Sequence, residues 1–148
     1  MASYAENRKA RFNYEILEKY ETGIELLGTE VKSVRGGQMS LEGAFVIARG
    51  GEAFLINANI PPFQPKNAPK DYDPLRNRKL LLTKKEIAEL AGSEKNKSLT
   101  IVPILVYNKN RKIKVEIALV KGKKKFDKRE TIKKRDTDRE IRRDFKER

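Results

Sequence analysis

Two carboxylates stand close together in the sequence KDYDP, where Asp71 and Asp73 could hold a hard divalent cation such as Mg²⁺. No third carboxylate lies nearby, and aspartates beside proline and tyrosine are common in turns. The chain has no cysteine and no histidine, which excludes disulfides, zinc sites with Cys or His ligands, and histidine-based acid–base catalysis. The phosphate-loop pattern GxxxxGK[ST] is also absent. We therefore expect a protein that is not an enzyme and that binds no metal and no cofactor.

Positive charge is the chemical feature that points to a partner. The chain carries 34 Lys and Arg against 21 Asp and Glu, a net charge of +13, and nucleic acid is the commonest partner of so basic a protein. The segment 121–148, which begins KGKKKFDKRE, holds 14 of the basic residues and 7 of the acidic ones. Few of its residues are apolar, so it cannot bury enough surface to fold alone. We expect a body at 1–120 and a basic tail at 121–148 that is disordered by itself.

A membrane surface is the rival partner for a basic protein. The N-terminal sequence MASYAENRKARF lacks the apolar core of a signal peptide, and no apolar run is long enough to span a bilayer. No lipidation signal and no basic helix with a broad apolar face are found either. We expect a cytoplasmic protein that does not bind membranes.

Glu30, in LLGTEVKSVR, is a carboxylate with two interpretations. In the first turn of a short helix, a carboxylate is favoured by the helix dipole, and this role alone would explain it. Among basic residues, however, a carboxylate can accept hydrogen bonds from the amino groups of exposed bases, which lysines cannot do.

The body must be built mainly from strands. Apolar residues alternate in FNYEILEKYETGIELLG, which predicts two short strands that meet at Thr22-Gly23, and Gly50-Gly51 marks the turn of a hairpin. A second, longer hairpin is predicted to turn at Asn108-Lys109-Asn110, with Pro103 at a bulge or an edge position. Its return strand points Ile113, Val115, Ile117 and Leu119 inward and Lys112, Lys114 and Glu116 outward.

Two short helices are predicted between these strands. Thr29 could cap the first, which Gly36-Gly37 ends, while Thr83 and Glu86 form a capping box for the second, which Gly92 ends. Two or three helices among about six short strands favour a mainly β fold, an antiparallel barrel that resembles the OB-fold. That architecture often binds nucleic acid, but it does not establish function.

Three segments occur in an order and at separations that carry a family resemblance: ENRKARFNYEILEKYETGIELLGTEVKSVRGG, NRKLLLTKKEIAEL and KGKKKFDKRETIKKR. Over nearly its whole length the chain resembles the SsrA-binding proteins, also called small protein B. The resemblance implies an OB-like barrel that binds the tRNA-like domain of transfer-messenger RNA. It also implies that the complex enters the A site of ribosomes stalled in trans-translation, so that the nascent peptide is tagged for degradation. The tail would become helical along the empty mRNA channel.

The same resemblance implies which residues bind each partner. Contacts to transfer-messenger RNA are expected from the residues that match the family's motifs, namely Glu30, Leu90, Lys121, Lys123, Asn7, Arg8 and Tyr14. Leu90 could equally be a core residue, and Tyr14 could be half-buried in its strand. Contacts to the ribosome, including its decoding-centre rRNA, are expected from Gly122, Phe126, Asp127, Lys128, Arg129, Ile141 and Phe145.

Physical roles can be suggested for four of the ribosome-binding residues. Gly122 would give the tail freedom to leave the barrel, and Asp127 would cap its helix. Lys128 and Arg129 would face rRNA phosphates. Many members of the family carry histidine where this chain has Phe126, so a stacking role is kept there and a hydrogen-bonding role is lost.

Two other functions compete with this one. A general single-stranded RNA-binding OB-fold protein would need a stacking platform of aromatic residues on one sheet face, whereas the aromatics here are scattered. A metal-dependent nuclease would need ligands that the sequence does not supply. We expect the free protein to be a monomer.

Overall fold

The computed structural model describes residues 3–64, 66, 70–96 and 98–122. Within these residues the chain forms seven strands and three helices in the order β1 (Ser3–Glu6), α1 (Arg8–Asn13), β2 (Tyr14–Ile24), α2 (Gly28–Arg35), β3 (Phe45–Arg49), β4 (Glu52–Ile56), β5 (Arg78–Leu81), α3 (Lys84–Glu94), β6 (Leu99–Lys109) and β7 (Lys112–Gly122).

The strands form one antiparallel sheet in the order β1-β6-β7-β2-β5-β4-β3. The sheet curls, because β3 also contacts β6, which lies near the opposite end of the strand order. The prediction of a mainly β, antiparallel fold with a few short helices is confirmed, with seven strands in place of about six.

The interior is filled by one face of the curled sheet. Val115, Ile117 and Leu119 of β7 point into the main core, as the alternation in the sequence predicts. The opposite face of β7 is also buried at one end, because α1 covers a second cluster that contains Ala118 and Val120. Towards Lys112 the outer face is left open to solvent.

The prediction of two short strands within residues 12–26 is wrong. β2 is one continuous strand, since it pairs with β7 from Tyr14 opposite Gly122 to Gly23 opposite Lys114. A bulge between Ile16 and Glu18 shifts the parity of the buried side chains, which explains why the alternation appeared interrupted.

Both predicted helices are present, with different ends. α2 begins at Gly28 with Leu27 as its N-cap, not Thr29, and it ends at Arg35 with Gly36 as its C-cap, as expected. α3 has the predicted capping box, in which the Thr83 hydroxyl accepts from the backbone N–H of Glu86 at 3.2 Å. Gly92 lies inside α3, because the helix continues to Glu94.

The two predicted hairpins are confirmed, and each has a two-residue turn. Gly50-Gly51 joins β3 to β4. The turn between β6 and β7 is Asn110-Arg111, later than predicted, because Lys109 pairs with Lys112 and so extends the ladder. The predicted bulge at Pro103 is present as a register shift between Pro103 and Leu105.

Candidate nucleic-acid interface

A row of side chains crosses the outer face of four neighbouring strands. Tyr107 of β6 lies opposite Lys114 of β7, which lies opposite Gly23 of β2, which lies opposite Leu81 of β5. A Cβ atom on residue 23 would lie 3.2 Å from Cδ1 of Leu81, so glycine leaves room for that leucine to lie across β2. Leu81 is 54% exposed, although it is a large apolar residue in the middle of a curled sheet.

A groove with a volume of about 350 Å³ lies beside this row, where α2 meets the tip of the β6–β7 hairpin. Its floor is apolar and includes Ile24, Leu26, Val31, Leu81 and Ile113. All the charged residues that line it are basic: Arg35, Arg111, Lys112 and Lys114. Basic side chains around a half-buried apolar floor with one exposed leucine suit a ligand that combines phosphates with flat, partly apolar rings, as nucleotides do.

Glu21 places one negative charge beside this basic groove. Its carboxylate accepts hydrogen bonds from the hydroxyl of Tyr107 and, at 3.1 Å, from Nζ of Lys109. The Tyr107 hydrogen bond, with help from Lys109, lowers the pKa of Glu21, so the group is ionised at neutral pH. Burial and the Glu21 carboxylate together raise the pKa of Tyr107, which therefore stays a donor. Because a carboxylate can accept about four hydrogen bonds, Glu21 keeps acceptor capacity for a ligand.

Glu30 lies in a very different environment, since its side chain is fully buried. One oxygen accepts from the backbone N–H of Leu27 at 2.8 Å and from Arg76. The other accepts from Tyr72, from Nε of Arg76 at 2.9 Å, and from Nη2 of Arg78 at 2.6 Å. Arg78 is itself fully buried, so Glu30 is the counter-ion of a buried guanidinium.

The hydrogen bonds to Glu30 decide its charge. Burial alone would raise its pKa, but the donors Arg76, Leu27 and Arg78 outweigh burial and lower the pKa to about 2. Both oxygens are occupied and neither reaches solvent. The base contact expected of Glu30 stays a prediction, and this geometry instead favours a role in holding Arg76, whose side chain is 32% exposed.

Leu90 is also interior. It lies on α3, is fully buried and packs in the main core, so the structure places it where the core interpretation expects it. The exposed leucine of the same region of sequence is Leu81, in the motif RKLLL. Leu81 and Glu21 are not among the residues expected from the sequence. Their places on the outer face depend on the pairing of β2 with β5 and β7, which no local sequence pattern shows.

Three of the expected RNA-binding residues lie near α1. Asn7 caps α1, with Oδ1 accepting from the N–H of Ala10 at 3.3 Å, and its Nδ2 donates to the Pro103 carbonyl. Arg8 is exposed and pairs with Glu6 at 3.0 Å. Asn7 and Tyr14 both line a second groove of about 320 Å³. Of these residues, only Tyr14 belongs to β2, nine residues along the strand from Gly23, which is at most about 30 Å in a fully extended strand. Asn7 lies beside β6, where its backbone N–H donates to the carbonyl of Ile104, three residues before Tyr107.

The expected contacts of the tail begin where β7 ends. Lys121 lies opposite Glu15, and Gly122 lies opposite Tyr14, so these two residues lie at the same end of β2 as Tyr14. Both are exposed. The other expected contacts lie outside the described residues: Lys123, Phe126, Asp127, Lys128, Arg129, Ile141 and Phe145.

Among the described residues, no group of three or more His, Cys, Asp or Glu side chains could hold a metal ion. None of the helices in this part of the chain has the length and apolar composition needed to cross a membrane.

Comparison with known proteins identifies one family. The family model described as "SmpB protein" matches residues 4–147. An SsrA-binding protein of Sulfurihydrogenibium sp. is 56% identical over 142 residues, which cover 96% of this chain and 93% of the relative. An SsrA-binding protein of Thermosynechococcus vestitus is 51% identical over 144 residues, with 97% and 95% covered.

A solved structure gives the same result. A chain in "tmRNA-SmpB: a journey to the center of the bacterial ribosome" is 48% identical to this chain and superimposes with a TM-score of 0.67. The match covers 80% of this chain and 83% of that one.

Proposed function

This chain belongs to the SmpB protein family, and on that premise we propose that it binds the tRNA-like domain of transfer-messenger RNA and delivers it to stalled ribosomes. The chain acts as an RNA-binding adaptor in trans-translation and breaks no bond itself. Its place of action is the cytoplasm, and the free protein is a monomer. The single observation that carries the proposal is the groove with a half-buried apolar floor, the exposed Leu81 and four basic residues at its edge.

The groove supplies the two kinds of contact that structured RNA requires. Arg35, Arg111, Lys112 and Lys114 attract phosphates, which gives affinity without sequence preference. Leu81 offers an apolar surface on which a ribose or an unstacked base can pack. Since the two surfaces adjoin, one stretch of RNA can engage both.

Preference for one RNA requires a group that reads more than phosphate. Glu21 is ionised, held by Tyr107 and Lys109, and positioned among basic side chains. A fixed carboxylate accepts from base amino or imino groups and repels phosphates that approach in the wrong register. Glu21 thus takes the role that the sequence suggests for Glu30, while Glu30 holds Arg76 for a phosphate contact.

The opposite end of β2 serves the ribosome. β7 ends at Gly122, opposite Tyr14 and nine residues along β2 from Gly23, so a partner of the tail can bind beyond the RNA that occupies the groove. The division into a body at 1–120 and a tail at 121–148, the expected contacts of Phe126 to Arg129, and the helix along the empty mRNA channel belong to this proposal. Asn7, Arg8, Tyr14, Lys121 and Lys123 are proposed as further contacts to transfer-messenger RNA, between the groove and the ribosome-binding part of the tail.

The experiment that tests the proposal is a competition between the tRNA-like domain and an ordinary tRNA at fixed salt concentration, because salt alone changes RNA affinity by orders of magnitude. We expect a large preference for the tRNA-like domain. Equal binding of the two RNAs would favour a general single-stranded RNA-binding protein. In the described residues that alternative lacks a stacking platform on the outer row, where Tyr107 is only 6% exposed.

Removal of residues 123–148 tests the assignment of the two partners. We expect binding of the tRNA-like domain to weaken modestly and tagging on stalled ribosomes to be abolished. Equal loss of both activities would show that the tail is part of the RNA-binding surface.

A further inference from the structure

Within the described residues, two hairpins have two-residue turns, one made of glycines and the other of Asn110 and Arg111. Gly50 and Gly51 have φ of 58° and 79°, and Asn110 and Arg111 have φ of 52° and 66°. Two-residue turns with positive φ at both positions suit Asn or Gly first and Gly second. Arg111 therefore occupies a left-handed position where a side chain is strained and where glycine would be more stable.

Arg35 at the end of α2 holds this strained turn. Its Nη2 donates to the carbonyl of Arg111 at 2.9 Å, and its Nη1 donates to Oδ1 of Asn108 at 3.5 Å and to the hydroxyl of Tyr4 at 3.3 Å. One side chain thus joins α2 to the hairpin tip and to β1. The strained conformation persists because these contacts restrain it from several directions.

The side chain presented by the turn is unpaired. Arg111 is exposed and lines the basic groove beside Lys112 and Lys114. Within the described part of the chain, its guanidinium makes no hydrogen bond and no ion pair with another residue. A free guanidinium offers five donors in a planar arrangement that matches phosphate oxygens.

We infer that the Asn110-Arg111 turn is a phosphate-binding element, in which Arg111 contacts an RNA phosphate at the rim of the groove and Arg35 positions it. The inference rests on the proposed function, because it deepens the assignment of the groove as the RNA site. If the turn only reversed the chain direction, glycine at position 111 would give a more stable turn, as in the Gly50-Gly51 turn.

The substitution Arg111→Gly distinguishes an effect on stability from an effect on binding, because it should stabilise the fold and weaken RNA binding. Relief of the left-handed strain raises the melting temperature by about 3 °C. Loss of one phosphate contact weakens binding of the tRNA-like domain roughly fivefold at low salt. It also makes the plot of log affinity against log salt less steep by about one.

A matched variant controls for charge. Adding Gly51→Arg to Arg111→Gly restores the net charge and moves the arginine to the other hairpin turn. We expect binding to stay weak, with the shallower salt slope. Recovery to the affinity of the unmodified protein would show that only total charge matters and would overturn the inference, as would unchanged affinity and slope in Arg111→Gly. A lower melting temperature in Arg111→Gly would overturn the claim of strain.

The positioning role of Arg35 is tested with Arg35→Lys, which keeps the charge and loses the fork of donors. We expect the salt slope to become less steep in the natural background and to stay the same when Arg111→Gly is already present. An equal change in both backgrounds would assign Arg35 a phosphate contact of its own.

The proposed function is tested separately in the same titrations. If the unmodified protein does not prefer the tRNA-like domain over an ordinary tRNA, the proposed function fails. If that preference is present and Arg111→Gly binds like the unmodified protein, only the inference about the turn fails.

Discussion

Glu21 and Glu30 are nine residues apart and have opposite surroundings. Glu30 is fully buried, and both of its oxygens accept hydrogen bonds. The donors are Arg76, Arg78, Tyr72 and the backbone N–H of Leu27. Glu21 is partly exposed on the outer face, where two donors fix it and leave acceptor capacity. A carboxylate in a family motif can therefore be a structural counter-ion, while a second carboxylate nine residues away keeps acceptors open to solvent.

Leu90 and Leu81 differ in burial in the same way. Leu90 is fully buried in the core and Leu81 is 54% exposed beside the groove. The interior pair, Glu30 and Leu90, should therefore govern stability, and the surface pair, Glu21 and Leu81, should govern RNA binding.

The largest effect is expected from Glu30→Ala. The change leaves Arg78 buried without its counter-ion, and breaking a buried ion pair from one side costs about 3–5 kcal/mol of unfolding free energy. Denaturant unfolding measures this cost. Glu21→Ala is the matched control, with a smaller expected cost, because the Glu21 carboxylate is partly exposed and its removal leaves no buried charge unpaired. Equal losses of unfolding free energy in the two variants would show that Glu30 and Glu21 contribute equally to stability.

Lowering the pH should destabilise the unmodified protein in the same way as Glu30→Ala, because it protonates Glu30. The pKa of Glu30 is about 2 in the folded protein and 4.5 ordinarily, so its contribution is complete above pH 4.5 and is lost as the pH falls towards 2. The shift corresponds to about 3 kcal/mol. Unfolding free energies measured between pH 6 and pH 2 should fall less steeply for Glu30→Gln than for the unmodified protein. Parallel curves would contradict the assignment of this acid sensitivity to Glu30.

Leu81→Ala tests the surface pair. Since half of this side chain is already in solvent, the fold should lose little stability. RNA that packs on the remaining apolar surface would bind about tenfold more weakly to the variant. Leu75→Ala is the control, because Leu75 is 47% exposed and does not line the groove. Similar losses of affinity in both variants would argue against a localised contact.

The sequence predicts the two hairpins and the presence of α2 and α3, because their signals are local, whereas α1 was not predicted. The capping box of Thr83 and Glu86 and the Gly50-Gly51 turn depend on residues a few positions apart. The continuity of β2 was missed because the bulge after Ile16 changes which side chains point inward. Strand pairing over more than 90 residues, such as that of Gly23 with Lys114, leaves no local pattern.

The sequence indicates the kind of site, while the individual residues expected to form it stay predictions. Charge and family motifs indicated an RNA-binding surface with a carboxylate among basic residues. They could not tell Glu21 from Glu30, because the difference depends on Arg76 and Arg78, which reach Glu30 from 46 and 48 residues away. Only the folded arrangement shows which carboxylate has spare acceptors.

The most direct measurement is the preference of Glu21→Gln for the tRNA-like domain over an ordinary tRNA, at fixed salt and beside the unmodified protein. We expect the preference to fall about fivefold, because glutamine keeps one acceptor and loses the charge, while binding of ordinary tRNA stays the same or strengthens slightly. Glu52→Gln, which removes an exposed carboxylate paired with Lys79, should leave the preference unchanged. An undiminished preference in Glu21→Gln would contradict the claim that the exposed carboxylate reads the RNA.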